Sequence, residues 1–377
     1  MSVARVTVVG LGLVGGSVAA ATKRVTPELP VRGVDADAAS VEYARDHGLI
    51  DLGATPERAE ADAWFAGSPD DLVVLATPAA AAEDWLRRLG KAGFGGIVTD
   101  VSSTKRGVVA AATAHGSGYR FVGGHPMAGS ERSGIEAATP TLFDGAYYIL
   151  TPTDDTDMDA YRDVHAFVTS LGARVISVDA EAHDDAVAIV SHVPHVAAAA
   201  LVDLASARAA DAGADLLRLA AGGFKDMTRI AAGSPELWTG ICLGNAPALM
   251  AGLEGLEKVL DEFRAALAAG DEDAVRGWLT AAADVRRALP AQWVPASTRL
   301  RELLVPVSDQ PGVVGTVTTA VSRAGCNIED IEIDHRSEDS AVLRLVLTDE
   351  GDADALMADL ADRGFSAEIR QLEDGAS

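Results

Sequence analysis

The sequence predicts an α/β chain in three successive parts, and three observations carry that prediction. An apolar run from Val3 to Val9 leads into a glycine-rich turn and then an alanine-rich helix. Strand-like apolar runs recur until about Val178, after which the pattern is helical to about Leu289. Past a proline-bearing stretch the pattern becomes short strands alternating with helices. The expected parts are a Rossmann-like dinucleotide-binding domain over 1–179, an all-α second domain over 180–290 and a ferredoxin-like domain over 299–374.

Size and composition bound the function. A chain of 377 residues that is 48% hydrophobic, with mean hydropathy +0.15, has ample core for several domains. Met1-Ser2-Val3-Ala4-Arg5 runs straight into a strand, so no signal peptide is expected. The most apolar later stretch, Ala186 to Val202, is interrupted by His192, Pro194 and His195, and is expected to be a buried helix, not a membrane span. Cys242 and Cys326 lack metal or redox spacing and suit a reducing cytoplasm. A formal charge of −25 argues against nucleic acid and anionic membranes, both of which require clustered Lys and Arg.

The first element is Val3 to Val9, then Gly10-Leu11-Gly12-Leu13-Val14-Gly15 and a helix. The G-x-G-x-x-G spacing at Gly10, Gly12 and Gly15 brings a pyrophosphate onto helix amides such as those of Leu13 and Val14. The next strand ends in Asp35, 20 residues after Gly15. A carboxylate there accepts from ribose hydroxyls and repels a 2′-phosphate, which favours NAD, although Arg32 leaves NADP open. Leu72 to Ala76 is a further strand, and Thr77-Pro78 ends it at the edge where the cofactor is expected.

Gly96 to Thr99 and Phe121-Val122 are the next strands, each followed by a small polar cluster: Asp100-Val101-Ser102-Ser103-Thr104-Lys105, and a loop from Gly123 to Gly134 that contains His125. Parallel neighbours deliver their C-terminal ends to one edge of a sheet, so Ser103 and His125 are expected to meet. A hydroxyl beside an imidazole is either a nucleophile with its base or a group orienting a histidine toward a substrate hydroxyl. No G-x-S-x-G elbow is present, which disfavours the nucleophile. Strands Ala146 to Leu150 and Arg174 to Val178, with a helix between, complete the first part.

The helical part holds two chemically dense stretches. Ser191-His192-Val193-Pro194-His195 sets two histidines three apart. Without a third ligand at suitable spacing no metal is expected, and the pair reads as substrate contacts or satisfied core histidines. Gly222-Gly223-Phe224-Lys225-Asp226-Met227-Thr228-Arg229 places Lys225 and Arg229 one helical turn apart, with Asp226 between and Trp238 further on. In an acidic chain these cations form either a carboxylate clamp or a surface ion pair. Leu289 to Ser297 reads as a linker, and the tail beyond reads β-α-β-β-α-β.

Taken together, Gly10-x-Gly12-x-x-Gly15, Asp100-Val-Ser-Ser-Thr-Lys105, Gly124-His125-Pro126-Met-Ala-Gly-Ser-Glu-Arg-Ser-Gly134, Ser191-His192-Val-Pro-His195 and Gly223-Phe-Lys-Asp-Met-Thr-Arg229 closely resemble the prephenate dehydrogenases of tyrosine biosynthesis. The tail, with Asp309-Gln310-Pro311-Gly312 and Gly325-Cys326-Asn327-Ile328, resembles an ACT domain. The resemblance implies NAD-dependent oxidative decarboxylation of prephenate. It makes His125 the catalytic histidine and Ser103 the serine that bonds to it and to the substrate hydroxyl. It makes Arg229 the carboxylate-binding arginine and His195, His192, Lys225, Asp226 and Trp238 the pocket wall. It also implies an amino-acid effector, tyrosine being favoured as end product, held near Asp309, Gly312, Asn327 and Ile328. A homodimer is expected from the apolar helices after residue 180.

Three rival readings stay open. Arogenate presents the same ring as prephenate. A β-hydroxyacid dehydrogenase shares the architecture but leaves the Gly-His-Pro and His-x-x-His stretches unexplained. A non-catalytic amino-acid sensor with a retained dinucleotide fold is disfavoured by intact Ser103, His125 and Arg229.

Overall fold

The computed structural model describes residues 3–57, 63–65, 68–116, 118–129, 132–212, 219–288, 300–308, 310, 312–337, 340–348 and 351–372. Its contacts divide the chain into two compact units: Met1–Asp184, Ala232–Gly244 and Arg299–Ser377 make the first, and Asp185–Ala231 and Asn245–Thr298 the second.

The first unit is built on an eight-stranded sheet ordered β3-β2-β1-β4-β5-β6-β7-β8. Its strands are β1 (Arg5–Val9), β2 (Val31–Val34), β3 (Leu52–Ala54), β4 (Asp71–Leu75), β5 (Ile97–Asp100), β6 (Arg120–Pro126), β7 (Tyr147–Thr151) and β8 (Arg174–Ser177). The apolar runs are near-continuous because most strands are covered on both faces; every residue of β4 is buried. All pairings from β3 through β6 are parallel, and strand order reverses between β1 and β4. That reversal opens a crevice at the C-terminal ends of the strands.

The structure corrects the loop reading of residues 123–126. β6 continues through His125: its first half pairs parallel with β5, and Gly123 to Pro126 pair antiparallel with Thr151 to Tyr148. The glycines keep the chain in the sheet because neighbours crowd it there. A Cβ on Gly124 would lie 2.7 Å from the carbonyl oxygen of Asp100 and 2.9 Å from the Tyr148 ring. His125 is therefore placed by strand geometry.

Residues 300–372 form β9 (Leu300–Ser308), β10 (Ile328–Ser337), β11 (Ser340–Thr348) and β12 (Glu368–Leu372), antiparallel in the order β10-β11-β9-β12. Helices Val313–Arg323 and Ala353–Asp362 bury Val314, Val317, Val321, Leu356 and Leu360 with Leu303, Val305, Leu343 and Leu345. This is the β-α-β-β-α-β unit expected of the tail. It packs on the nucleotide part: the Gly312 amide donates to the Thr156 carbonyl at 2.8 Å. A Cβ on Gly312 would sit 1.6 Å from the Asp154 carbonyl oxygen, and one on Gly315 2.0 Å from that of Thr153.

The second unit is helical. Helix Val193–Ala212 follows a π-helical turn, Ala188–His192, and helix Ala246–Ala269 packs close to it, with a Cβ on Gly252 falling 2.8 Å from Val193. Here the expected burial of 186–202 needs correction. In the helix 180–208, which is long and apolar enough to span a bilayer, only 28% of the most apolar window is buried, and Val190 is 68% exposed. The helix is apolar on more than one face, and the described residues cover only part of it.

Candidate active site

The crevice between β1 and β4 is shaped by what its glycines exclude. Gly10 has φ +92°, and a Cβ there would meet the Ala76 carbonyl oxygen at 2.5 Å; one on Gly15 would meet that of Gly10 at 1.8 Å. At Gly12, by contrast, no heavy atom of the described residues beyond its own stretch of chain lies within 4 Å of the Cβ position, so the backbone faces open space. Helix Leu13–Val25 starts there with no side-chain cap and no acid in its first turn, leaving amides of Leu13 and Val14 to an anion.

Asp35 accepts from Leu11 N at 2.6 Å and from Asp37 N at 2.8 Å, which holds the glycine turn and leaves lone pairs for ribose hydroxyls. Thr77 and Pro78 follow β4, and Thr77 Oγ1 is buried without a hydrogen-bond partner among the described residues. Arg32 stacks on Trp64, 5.0 Å from the ring centroid. The structure thus gathers Gly10, Gly12, Leu13, Val14, Gly15, Asp35, Thr77 and Pro78 at one edge. The open backbone and the orphaned hydroxyl fit a dinucleotide.

Two strands along, Asp100 and Lys105 form a fully buried ion pair beneath the catalytic candidates. Asp100 also accepts from Ser102 N at 2.9 Å and Gly124 N at 3.0 Å, and Lys105 Nζ donates to the Gly124 carbonyl at 2.6 Å. Burial pulls the Lys105 ammonium below its usual value, against the pull of Asp100. Both polar groups of Gly124 are therefore held, one residue before His125. Ser103 stands on the β5 loop within the same clamp, partly exposed.

His125 Nδ1 meets His183 Nε2 at 2.8 Å, with the rings at 72°. His183 Nδ1 in turn meets Asp184 Oδ1 at 2.8 Å. Asp184 accepts from Lys105 N at 2.7 Å and Arg106 N at 2.9 Å, capping helix Arg106–His115 from a distant part of the chain. Sequence reasoning missed His183 and Asp184. The available signal was a His-Asp pair soon after β8, at the sheet edge that carries His125.

Helix Pro235–Gly244 carries Trp238, half-buried, and ends at Gly244, where a Cβ would approach Thr104 Oγ1 to 3.1 Å; Trp238 is thus on an element packed beside the Ser103 loop. In the second unit, His192 and His195 are buried, and His192 Nδ1 pairs with Asn245 Nδ2 at 3.3 Å. Of the two open readings for His192, satisfied core histidine is the one its surroundings fit. Burial lowers the His195 pKa, which keeps the ring neutral near pH 7. Lys225 and Asp226 are exposed on helix Gly222–Thr228, and Arg229 is exposed at the next turn. No group of three or more His, Cys, Asp or Glu suited to a metal occurs among the described residues.

The chain is 34% identical over 348 residues to the prephenate dehydrogenase of Bacillus subtilis (strain 168), covering 91% of this chain and 92% of that one. The chain belongs to the prephenate dehydrogenase family. Models of that family's nucleotide-binding domain and dimerization domain match residues 18–177 and 179–281, and an ACT domain model matches 301–365. The cyclohexadienyl dehydrogenase of Zymomonas mobilis is 33% identical over 276 residues, 71% of this chain and 90% of that one. Among solved structures of the family, Aquifex aeolicus prephenate dehydrogenase in complex with hydroxyphenyl propionate and NAD+ superposes with TM-score 0.71 at 32% identity, covering 77% of this chain and 99% of that one. Synechocystis arogenate dehydrogenase gives TM-score 0.64 at 29% identity, over 76% and 100% of the two chains. This family member is an NAD-binding oxidoreductase with a C-terminal ACT domain.

Of the four effector candidates, Asp309 lies outside the described residues. Gly312 caps helix Val313–Arg323 with φ +89° and donates its amide to Thr156, Asn327 accepts from Thr348 N at 3.1 Å, and Ile328 opens β10.

Proposed function

We propose that the chain oxidatively decarboxylates prephenate to 4-hydroxyphenylpyruvate, with His125 as the base. The observation that carries this reading is the pinned imidazole of His125. It stands on a strand end of the sheet whose β1–β4 edge forms the dinucleotide cradle, and its Nδ1 is engaged by a buried partner. NAD, held by the glycine turn and Asp35, supplies the hydride acceptor. Hydride leaves the carbinol carbon, His125 takes the hydroxyl proton, and the ring carboxylate departs as carbon dioxide while the ring becomes aromatic. Oxidising an alcohol releases a proton that needs an acceptor near the working pH, and an imidazole held in place supplies it. Ser103 orients the substrate hydroxyl. Arg229 is assigned a substrate carboxylate, and Lys225, Asp226, His195 and Trp238 are assigned as further substrate contacts, whereas His192 is left to the core.

Mixing the protein with NAD and prephenate and following reduced nicotinamide tests the reaction. Absence of turnover with prephenate but turnover with arogenate would move the assignment to the aminated substrate, a reading favoured by the similarity to an arogenate dehydrogenase. His195 supports prephenate as a neutral hydrogen-bond donor to the pyruvyl arm.

The apolar faces left exposed on the second unit support a homodimer through that unit, and a domain of this type supports an amino-acid effector, with tyrosine favoured. A cytoplasmic setting suits the biosynthetic role. An effector that takes the Gly312 amide must displace Thr156 from it, which makes release of the tail part of the response.

A further inference from the structure

His183 is the joint of a buried chain of hydrogen bonds whose consequence reaches the reacting nitrogen of His125. An ionised carboxylate only accepts hydrogen bonds. Burial alone would raise the Asp184 carboxyl, but the bonds from His183 and from the amides of Arg106 and Lys105 outweigh it and hold it below the usual carboxylate range. The His183 nitrogen that faces it, Nδ1 at 2.8 Å, is therefore the protonated one. In a neutral ring the other nitrogen is then an acceptor, and His183 Nε2 lies 2.8 Å from His125 Nδ1. One proton is needed between those two nitrogens, and His125 supplies it. The lone pair of a neutral His125 is then on Nε2.

We propose that His183 and Asp184 are positioning residues that hold His125 as its Nδ1–H tautomer and so keep its Nε2 lone pair available for the substrate hydroxyl proton. The proposal rests on the reading of His125 as the base. Neither residue touches the reacting atoms. After proton transfer His125 is a cation, and its Nδ1–H still donates to a neutral ring that is itself bonded to a carboxylate. The developing charge is thus met without any group having to rotate. Asp184 is fixed by the amides of Lys105 and Arg106, so the orientation of the whole chain of rings is referred back to the Asp100–Lys105 clamp that holds Gly124. The competing arrangement has His183 protonated on both nitrogens and donating to His125. It would put the His125 proton on Nε2 and remove the base.

Nitrogen NMR of the full chain labelled at its eight histidines separates the two, with the His125 signals identified by their loss in His125→Asn. The expected result is a protonated Nδ1 and an unprotonated Nε2 on His125. The opposite tautomer in the wild-type protein overturns the proposal, and this measurement needs no His183 variant to fold. In kinetics, His183→Phe should lower kcat by about 10²-fold, the cost of a small misplacement of a catalytic group, with KM for NAD and prephenate near wild type. His183→Gln, which keeps a carbonyl acceptor, should recover part of that loss. A wild-type kcat in folded His183→Phe would also overturn the proposal. Failure of the underlying reading shows itself separately, as a His125→Asn enzyme that still turns over.

Discussion

Lys105 Nζ donates to the carbonyl of Gly124 at 2.6 Å, so the residue immediately before His125 is tethered to the floor of the neighbouring loop. The same ammonium pairs with Asp100, and both side chains are fully buried. Lys105→Met removes the cation and leaves Asp100 buried without its counter-charge, a change that typically costs about 3–5 kcal/mol. Denaturant unfolding should show a loss of that order. A midpoint within error of wild type would mean the pair is not held as the structure shows.

Asp184 gives a pH signature with a definite sign. Its folded pKa is depressed, so folding favours the carboxylate. The stabilisation is fully present above the unfolded value, about 3.9, and is lost as pH falls through the folded value. The difference in unfolding free energy between wild type and Asp184→Asn should therefore be largest near neutrality and shrink below about pH 4. A difference that stays constant down to the acid limit would show that the two proteins differ for another reason, such as packing.

The cofactor cradle predicts nucleotide choice. Asp35 repels a 2′-phosphate, and Arg32 is stacked on Trp64. Asp35→Ser should narrow the preference for NAD over NADP in kcat/KM. An unchanged ratio would remove Asp35 from ribose recognition. Arg229→Ala should raise KM for substrate far more than for NAD, since one charge-assisted hydrogen bond is worth about 1.5–3 kcal/mol. A larger effect from Lys225→Ala would move the clamp to the other cation.

The sheet, the glycine turn and the tail were legible because each rests on local pattern: strand-length apolar runs, G-x-G-x-x-G spacing, and turns marked by glycine and proline. Ser103 and His125 were singled out by the same means, as members of small polar clusters at the ends of such runs. Three features were not. The strand through Gly123 and Gly124 looked like a loop because glycine there serves close packing against Asp100 and Tyr148, a tertiary cause with the same letter as a turn. His183 escaped because its significance is a contact 58 residues away in sequence. The exposure of helix 180–208 escaped because hydropathy reports what can be buried, not whether a single chain supplies the cover.

In the tail, Gly315 is a handle that leaves the proposed effector turn intact. Its Cβ would strike the Thr153 carbonyl oxygen, 2.0 Å away, while its helical backbone readily accepts alanine. Gly315→Ala should therefore loosen the tail from the nucleotide part without altering Gly312 or Asn327. Hydrogen exchange at the Gly312 amide should accelerate, because its acceptor, the Thr156 carbonyl, moves away. If tyrosine and Thr156 compete for that amide, the variant no longer spends binding energy on displacement, and its tyrosine affinity should rise by about fivefold or more, the lower end of usual coupling between sites. Calorimetric titration of wild type and variant checks this. Faster exchange with unchanged affinity would mean the effector binds without releasing the tail. A chain ending at Ser297 should bind no effector, and equal inhibition of that chain by tyrosine would place tyrosine in the active site instead.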